Sequence, residues 1–292
     1  MSNRSRPTVR RARKTSSRHR QAPRRGPESR DRHWLYQESV QSPDVHFSFF
    51  DRVYRQRNGE NPASLKEDFC GTALLASEWA ERRRTNIAIG VDLDAPTLAW
   101  GRKHNLSRLS DEQRSRVTLM RANVLDVTRP RVDLVVALNF SYFIFLERDE
   151  LRAYFEAARN SLAPGGLFIG DIFGGWESQK PMRERTRHRG FTYIWELEGC
   201  DPVDNFARFH IHFEFRDGGG IRRAFTYNWR QWTIAELREI LVEAGFRHVE
   251  IYWELIDKKS GYGNSIFRRV ESAENAPGWI AFFVAGDGAK RR

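Results

Sequence analysis

From about residue 33 onward, short apolar runs of strand character alternate with segments whose apolar residues recur at helical spacing, and no internal repeat is visible. Parallel neighbouring strands cannot be joined by a tight turn and need a crossover of a dozen or more residues, ordinarily a helix. The alternation therefore predicts βα units around a mostly parallel sheet.

The first helix is expected over 47–57, with Phe50 and Tyr54 on one face. A strand at 65–68 follows, then a tight turn through Cys70 and Gly71, then a helix from Thr72 that stacks Leu75 on Trp79. Residues 87–92 read as a buried strand ending in an acid. Asp94 then caps a helix whose Pro96 falls in the first turn, where a missing N–H costs little. Further strands are expected at 117–121 and 134–138. Leu151, Tyr154, Phe155, Ala158 and Leu162 share one helical face over 147–162, and Pro164, Gly165 and Gly166 stop that helix and launch a strand at 167–171.

Between about 174 and 232 the pattern changes to short, aromatic-rich alternating segments, including 208–215 and 221–227 around a turn at 217–220. This reads as a β-rich, hairpin-containing insertion. Thr233 and Glu236 then form a capping box over a helix carrying Leu237, Ile240, Leu241 and Ala244, which Gly245 ends. Strands at 249–253 and 279–285 are expected to close the sheet.

Charge divides the chain in two. The formal net charge is +11, yet residues 1–32 hold 12 Lys or Arg against Glu28 and Asp31, which leaves 33–292 at +1. The first segment sets Arg10, Arg11, Arg13, Lys14, Arg18, Arg20, Arg24 and Arg25 among Ser, Pro and Gln with almost nothing apolar, so a disordered basic tail is expected. It is either a solvated extension or a nonspecific RNA contact, since the latter needs only Lys and Arg density. A transit peptide is disfavoured because the apolar side of an amphipathic helix is missing. No run approaches the roughly 18 apolar residues of a membrane span, and no signal-peptide core follows the basic start, so a soluble, cytoplasmic protein without a membrane partner is expected. Cys70 and Cys200 have no companions at metal-ligand spacing, which points to a reducing compartment and no zinc site.

Chemistry concentrates at strand ends. A glycine-containing turn after the first strand, with an acid ending the second strand about 20 residues later, is the geometry by which such sheets hold a nucleoside. Here the turn is EDFCGTA, Glu67 to Ala73, and the acid is Asp92. Gly71 lets the backbone approach a ligand without a Cβ, and the Asp92 carboxylate can accept from both ribose hydroxyls. Cys70 is weighed as a nucleophile against a small packing residue, and the packing role is the commoner one at such a turn. Dinucleotide binders need glycines where Phe69 and Ala73 stand, so a pyrophosphate site is disfavoured.

Taken together, EDFCGTALLA, GVDLDAPTLAWG from Gly90, RANVLD from Arg121 and LAPGG from Leu162 resemble, in order and approximate spacing, the motifs of class I S-adenosylmethionine-dependent methyltransferases. AGF at Ala244 to Phe246 is similar to that family's C-terminal end. The resemblance implies a Rossmann-like, seven-stranded sheet, mostly parallel with an antiparallel C-terminal hairpin, over 33–292. It also implies S-adenosyl-L-methionine as cofactor, with Glu67 as the leading acid toward the methionine end. Because Phe69 leaves the register open, Asp68 is the other candidate for that role. Cys70, Gly71 and Thr72 then line the turn, Asp92 is the ribose acid with Leu93 after it, and Asn123 and Val124 face the adenine. Asn123 replaces the commoner Asp, but its amide oxygen still accepts from an amino group.

NFSY, Asn139 to Tyr142, resembles in part the Asn-Pro-Pro-Tyr motif of amino-group methyltransferases, which places Asn139 beside the reacting methyl. The competing account makes Asn139 a turn cap and Tyr142 a core residue. Methyl transfer is an in-line displacement in which alignment is the enzyme's main task. If a base is needed, Asp171 and Tyr142 are the candidates. His210 and His212 have the spacing of a metal pair, but no third ligand is evident and two polar positions on an exposed strand face are expected instead. Trp195, Phe206, Phe213, Tyr227, Trp229, Arg230 and Trp232 form either a lid over a flat or cationic substrate or the insertion's own small core, the latter favoured for most of them. The expected activity is methyl transfer to a nitrogen or oxygen of a small-molecule acceptor. The alternatives are an RNA-modifying methyltransferase anchored by residues 1–32 and a binding protein that keeps the cofactor pocket without catalysis.

Overall fold

The computed structural model describes residues 30–257, 261 and 263–288. The segment expected as a disordered basic tail lies outside the described residues as far as residue 29. Its last three residues belong to the fold: Arg30 pairs with Asp217, and the Asp31 carboxylate caps α1 (Arg32–Val40) by accepting the N–H groups of His33 and Trp34 at 2.9 Å. The sequence pattern misses this helix because its buried positions, His33, Leu35, Gln37 and Val40, are half polar.

α2 (Pro43–Asn58) starts with proline in its first turn and ends on Gly59, whose φ of +78° is left-handed. β1 (Ser64–Asp68), α3 (Leu74–Arg82), β2 (Ile87–Asp92), α4 (Ala95–His104), the short α5 (Asp111–Ser115) and β3 (Val117–Arg121) make the first half. β4 (Val132–Ala137), a 3-10 turn at Ser141–Ile144, α6 (Arg148–Asn160) and β5 (Leu162–Gly174) follow. The helix therefore stops before Leu162, and Pro164, Gly165 and Gly166 lie within the strand, where the pairing slips from Val132↔Leu162 to Leu134↔Leu167. The insertion comprises β6 (Met182–Arg187), β7 (Phe191–Cys200), β8 (Phe206–Phe215) and β9 (Gly220–Arg230), after which α7 (Ile234–Glu243), β10 (His248–Ile256), β11 (Gly263–Val270) and β12 (Trp279–Gly286) close the chain. The Thr233–Glu236 capping box is present at the start of α7.

The main sheet runs β11-β10-β12-β5-β4-β1-β2-β3. Its five central and right-hand strands are parallel, and β12, β10 and β11 are joined antiparallel. The seven expected strands keep the expected arrangement; β11 is an eighth at the edge. It shows no clear alternation in sequence because Phe267 is its one deeply buried residue. β6, β7, β8 and β9 form a separate four-stranded antiparallel sheet in that order.

Apolar side chains pack on both faces of the main sheet. One face, with Leu65, Val136 and Ile169, meets Phe47 and Phe50 of α2 and Trp79 of α3. The other, with Val135 and Phe168, meets Tyr154 and Phe155 of α6 and Leu237 and Leu241 of α7, and is continuous with Phe209 and Trp229 of the antiparallel sheet. That sheet in turn buries Phe191, Tyr193 and Phe213 with Leu35 and Val40 of α1. Among the described residues no helix is long and apolar enough to cross a membrane.

The strand order reverses between β1 and β4, which flank one another while their successors lie on opposite sides. Open α/β sheets bind ligands in the crevice at the carboxyl ends of such a pair. α4 is drawn tightly onto this place, because a Cβ on Gly101 would stand 2.3 Å from the Thr72 carbonyl oxygen. Gly101→Ala should thus reverse the usual gain of Gly→Ala within a helix and lose about 1–3 kcal/mol, read from urea unfolding. A neutral or stabilised variant would show that α4 is not held there.

Candidate functional site

β1 presents its two terminal acids to opposite faces. Glu67 faces α3, where its Oε2 accepts the Ala76 N–H at 3.0 Å. Asp68 faces α6: its Oδ2 accepts the Tyr154 hydroxyl at 3.1 Å and its Oδ1 lies 3.2 Å from Lys66 Nζ. Lys66 also donates to the Val127 carbonyl at 2.6 Å and Ser161 Oγ at 3.0 Å, so a buried cation and anion are paired within one network. Asp68 is thus committed to the core beneath the turn, and Glu67 is the acid on the α3 side.

Burial pushes the Glu67 carboxyl up to about 8, with Asp92 and Asp68 pushing the same way against the Ala76 bond. Burial also lifts Asp68 to about 6, against the pull of Lys66 and Tyr154. In the unfolded chain Glu67 ionises near 4.5, so ionisation favours unfolding and its contribution to stability falls as pH rises from about 4.5 to about 8, then levels. Glu67→Gln keeps an acceptor for Ala76 and should reduce that fall, seen as urea midpoints that lose less than wild type between pH 5 and pH 8. An unchanged slope would place the titrating proton elsewhere.

The turn after β1 is left-handed at three alternate residues, Phe69 (φ +57°), Gly71 (+54°) and Ala73 (+53°). The conformation that glycines would supply is therefore kept without them at 69 and 73, at a cost of roughly 1–2 kcal/mol each. Phe69 offsets its share by packing on Tyr154 and Phe145, at ring separations of 5.4 and 6.1 Å. Cys70 is buried against Gly90, on which an added Cβ would lie 2.9 Å from Sγ, and burial together with the Glu67, Asp92 and Asp68 carboxylates pushes its thiol well up. It is a packing residue and no nucleophile.

One carboxylate ties this turn to the next. Asp92 Oδ2 accepts the Gly71 N–H at 2.7 Å and Oδ1 accepts the Asp94 N–H at 2.9 Å. Each oxygen keeps a second lone pair. Beside it Leu93 is 64% exposed, and the Cβ side of Gly71 meets nothing nearer than Thr97 Cγ2 at 3.9 Å. An open backbone, a carboxylate and an exposed apolar side chain suit an adenosine. Thr72 Oγ1 accepts from Gln37 of α1 at 2.5 Å. After β3, Asn123 Oδ1 accepts the Leu125 N–H at 3.1 Å, and Val124 is buried in the core.

The end of β4 is held from beneath. Asn139 and Phe140 are both left-handed, at φ +58° and +60°, and their N–H groups donate to Asp171 Oδ2 and Oδ1, each at 2.8 Å. Neither base candidate stands open to an acceptor. The Asp171 carboxylate is spent on positioning the turn, and Tyr142 is fully buried against Phe143, Phe155 and Phe283 with its hydroxyl donating to the Asp171 carbonyl at 2.8 Å. Burial pushes that hydroxyl well above the ordinary range. Tyr142 is a core residue.

Above Asn139 and Phe140 lies a half-open cavity, walled by Tyr36 and Val40 of α1 and by Trp195, Tyr227 and Trp229 of the antiparallel sheet. Of the insertion aromatics, these three face the cavity, whereas Phe213 and Trp232 are core and Arg230 stacks 3.8 Å over Trp232. Tyr36, Val40 and Gln37 were not expected at the site, because the signal for α1 is weak. His210 and His212 are not exposed: they are 2% and 4% accessible, roofed by long side chains of neighbouring strands. Nε2 of each lies 2.8 Å from a glutamate, Glu198 and Glu196 respectively. Among the described residues no group of three or more His, Cys, Asp or Glu is placed to hold a metal ion.

A family model described as a methyltransferase domain matches residues 70–168, from the turn after β1 to the middle of β5. The chain carries a methyltransferase domain. No curated protein matches it by sequence. The fold of this methyltransferase is shared by solved structures: the CcbJ methyltransferase of Streptomyces caelestis (18% identity, 84% of this chain and 97% of that one, TM-score 0.61) is one. The amino pentose methyltransferase CalS10 of Micromonospora echinaspora, solved with S-adenosylmethionine bound, is another (18%, 87% and 94%, 0.59). A third is the sugar N-methyltransferase KedS8 of Streptoalloteichus sp. (17%, 94% and 98%, 0.58). These likenesses take in more of the methyltransferase than the residues that the family model matches.

Proposed function

We propose that the chain transfers a methyl group from S-adenosyl-L-methionine to a small-molecule acceptor seated in the aromatic cavity. The observation that carries this reading is the position of Asn139, which both ends β4 at the switch point and lines the cavity. Cofactor and acceptor sites thus meet at one backbone turn.

The cofactor supplies a methyl carbon activated by a sulfonium. Asp92 accepts the ribose hydroxyls, Leu93 packs on the adenine and Asn123 meets its edge, its Oδ1 keeping a second lone pair beside the bond from Leu125. Glu67, whose carboxyl burial pushes up, stands on the α3 side of the turn toward the methionine end. Asp171 fixes Asn139 in place, and the aromatic walls exclude water, so alignment and dryness are this chain's contributions. Nitrogen is favoured over oxygen as the nucleophile by the named activities of the amino pentose and sugar N-methyltransferases whose fold it shares.

The RNA-directed alternative depends on residues 1–32, while 33–292 carry only +1 and the cavity at Asn139 is lined mostly by aromatic and apolar side chains, with no Lys or Arg among the described residues that line it. Calorimetric titration with S-adenosylmethionine and S-adenosylhomocysteine, followed by transfer of a labelled methyl to a panel of amines and alcohols, tests the proposal. Micromolar binding with turnover of an amine is the expected result. Binding without turnover of any acceptor would favour a non-catalytic binding protein, and no binding by folded chain would overturn the assignment.

A further inference from the structure

The walls of the cavity are uneven in charge. β6 alternates: Arg183 and Arg185 go to the outer face, where they pair with Glu196 and Glu214, while Glu184 and Thr186 line the cavity. Glu184 sits opposite Trp195 in the β6–β7 pairing. Trp195 lies 6.2 Å from Tyr227 and 6.0 Å from Trp229, and the last two rings stack at 4.5 Å. Among the described residues that line the cavity, Glu184 is the one charged group, and no Lys or Arg is present.

Such a chamber discriminates by sign. Aromatic faces attract cations through the ring quadrupole, and a carboxylate at the same wall adds to the attraction. An anionic acceptor would lose its hydration with no cation to receive it. We propose that the cavity selects an acceptor that enters as an ammonium ion, held between the Trp195, Tyr227 and Trp229 rings and the Glu184 carboxylate, and that this ammonium gives one proton to that carboxylate or to water, so that the freed nitrogen lone pair forms the N–C bond as the S–C bond of the cofactor breaks. This rests on the reading of the cavity as the acceptor site. Glu184 is then a residue of specificity: it decides which acceptors reach the turn at Asn139. Phosphorylated and carboxylated acceptors are excluded.

The test uses the full chain with S-adenosylhomocysteine present, and compares benzylamine, benzyl alcohol and benzoate at pH 7 by calorimetry. Benzylamine is expected to bind at least ~10-fold tighter than benzyl alcohol, with benzoate weakest. Glu184→Gln should weaken benzylamine ~10-fold and leave benzyl alcohol within ~2-fold, while Glu184→Asp restores most of the preference. Equal binding of amine and alcohol, no binding of benzylamine, preference for benzoate, or an amine preference that survives Glu184→Gln overturns the proposal. The wild-type ratio of amine to alcohol decides even if the variants fail to fold. Binding of S-adenosylhomocysteine in the same samples separates the two readings: retained without amine preference, it overturns the acceptor class alone; absent, it overturns the methyltransferase reading itself.

Discussion

Asp171→Ala is expected to destabilise the fold by about 3–5 kcal/mol, since it strips one buried and one half-buried N–H group of charge-assisted acceptors worth about 1.5–3 kcal/mol each. The effect is compounded by conformation. Asn139 and Phe140 sit in the left-handed region, which asparagine tolerates and phenylalanine rarely adopts, and the carboxylate bridging their N–H groups helps hold both there. Released, the turn should relax, and methyl transfer should be lost even in molecules that remain folded, because Asn139 leaves the floor of the cavity. Asp171→Asn retains one acceptor and should lose about half as much stability, roughly 1.5–3 kcal/mol. Equilibrium urea unfolding of the three proteins checks this. A loss below about 1 kcal/mol for the alanine variant would mean that the N–H groups find other partners.

The second large effect is on cofactor affinity. Asp92→Ala removes the carboxylate that we propose accepts both ribose hydroxyls, and two charge-assisted bonds correspond to a loss of at least ~100-fold in affinity for S-adenosylmethionine. The same carboxylate joins the Gly71 and Asp94 N–H groups, so a separate cost of about 1–2 kcal/mol in stability is expected, kept small because Asp92 is only partly buried and water can replace it. Calorimetry on samples shown to be folded distinguishes the two. A variant that binds the cofactor as wild type does would remove Asp92 from the site.

Much of this architecture was legible before the structure. β2 and β3 begin and end where their apolar runs and flanking signals place them, and Asp94 and Thr233 cap the helices that their side chains suit. The misses have physical causes. α1 buries a histidine and a glutamine through ring contacts and a bond to Thr72, and periodicity counts only apolar residues. β11 is an edge strand with one apolar anchor. Pro164 looks like a helix stop because proline ends helices, yet here it rides a bulge where its missing N–H is harmless.

At the site, the parity of Glu67 and Asp68 could be read from strand alternation, but which face α3 covers could not. His210 and His212 alternate with Phe209, Ile211 and Phe213 and so share the opposite face of β8; the expectation that this face is exposed fails because Glu196, Glu198 and Arg223, distant in sequence, pack over it. Tyr142 and Asp171 are ordinary base candidates by residue type, and only the hydrogen bonds reveal that both serve the backbone. For Glu184 the run MRERTR carries the signal: arginines on one parity, Met182, Glu184 and Thr186 on the other.

α1 reaches both ligands' neighbourhoods at once. Gln37 bonds the turn after β1, and one residue earlier Tyr36 walls the acceptor cavity. Where a shared segment is ordered by either ligand, the two occupancies are thermodynamically reciprocal: whatever factor the first ligand contributes to the second by settling this helix, the second contributes equally to the first when the order of arrival is reversed.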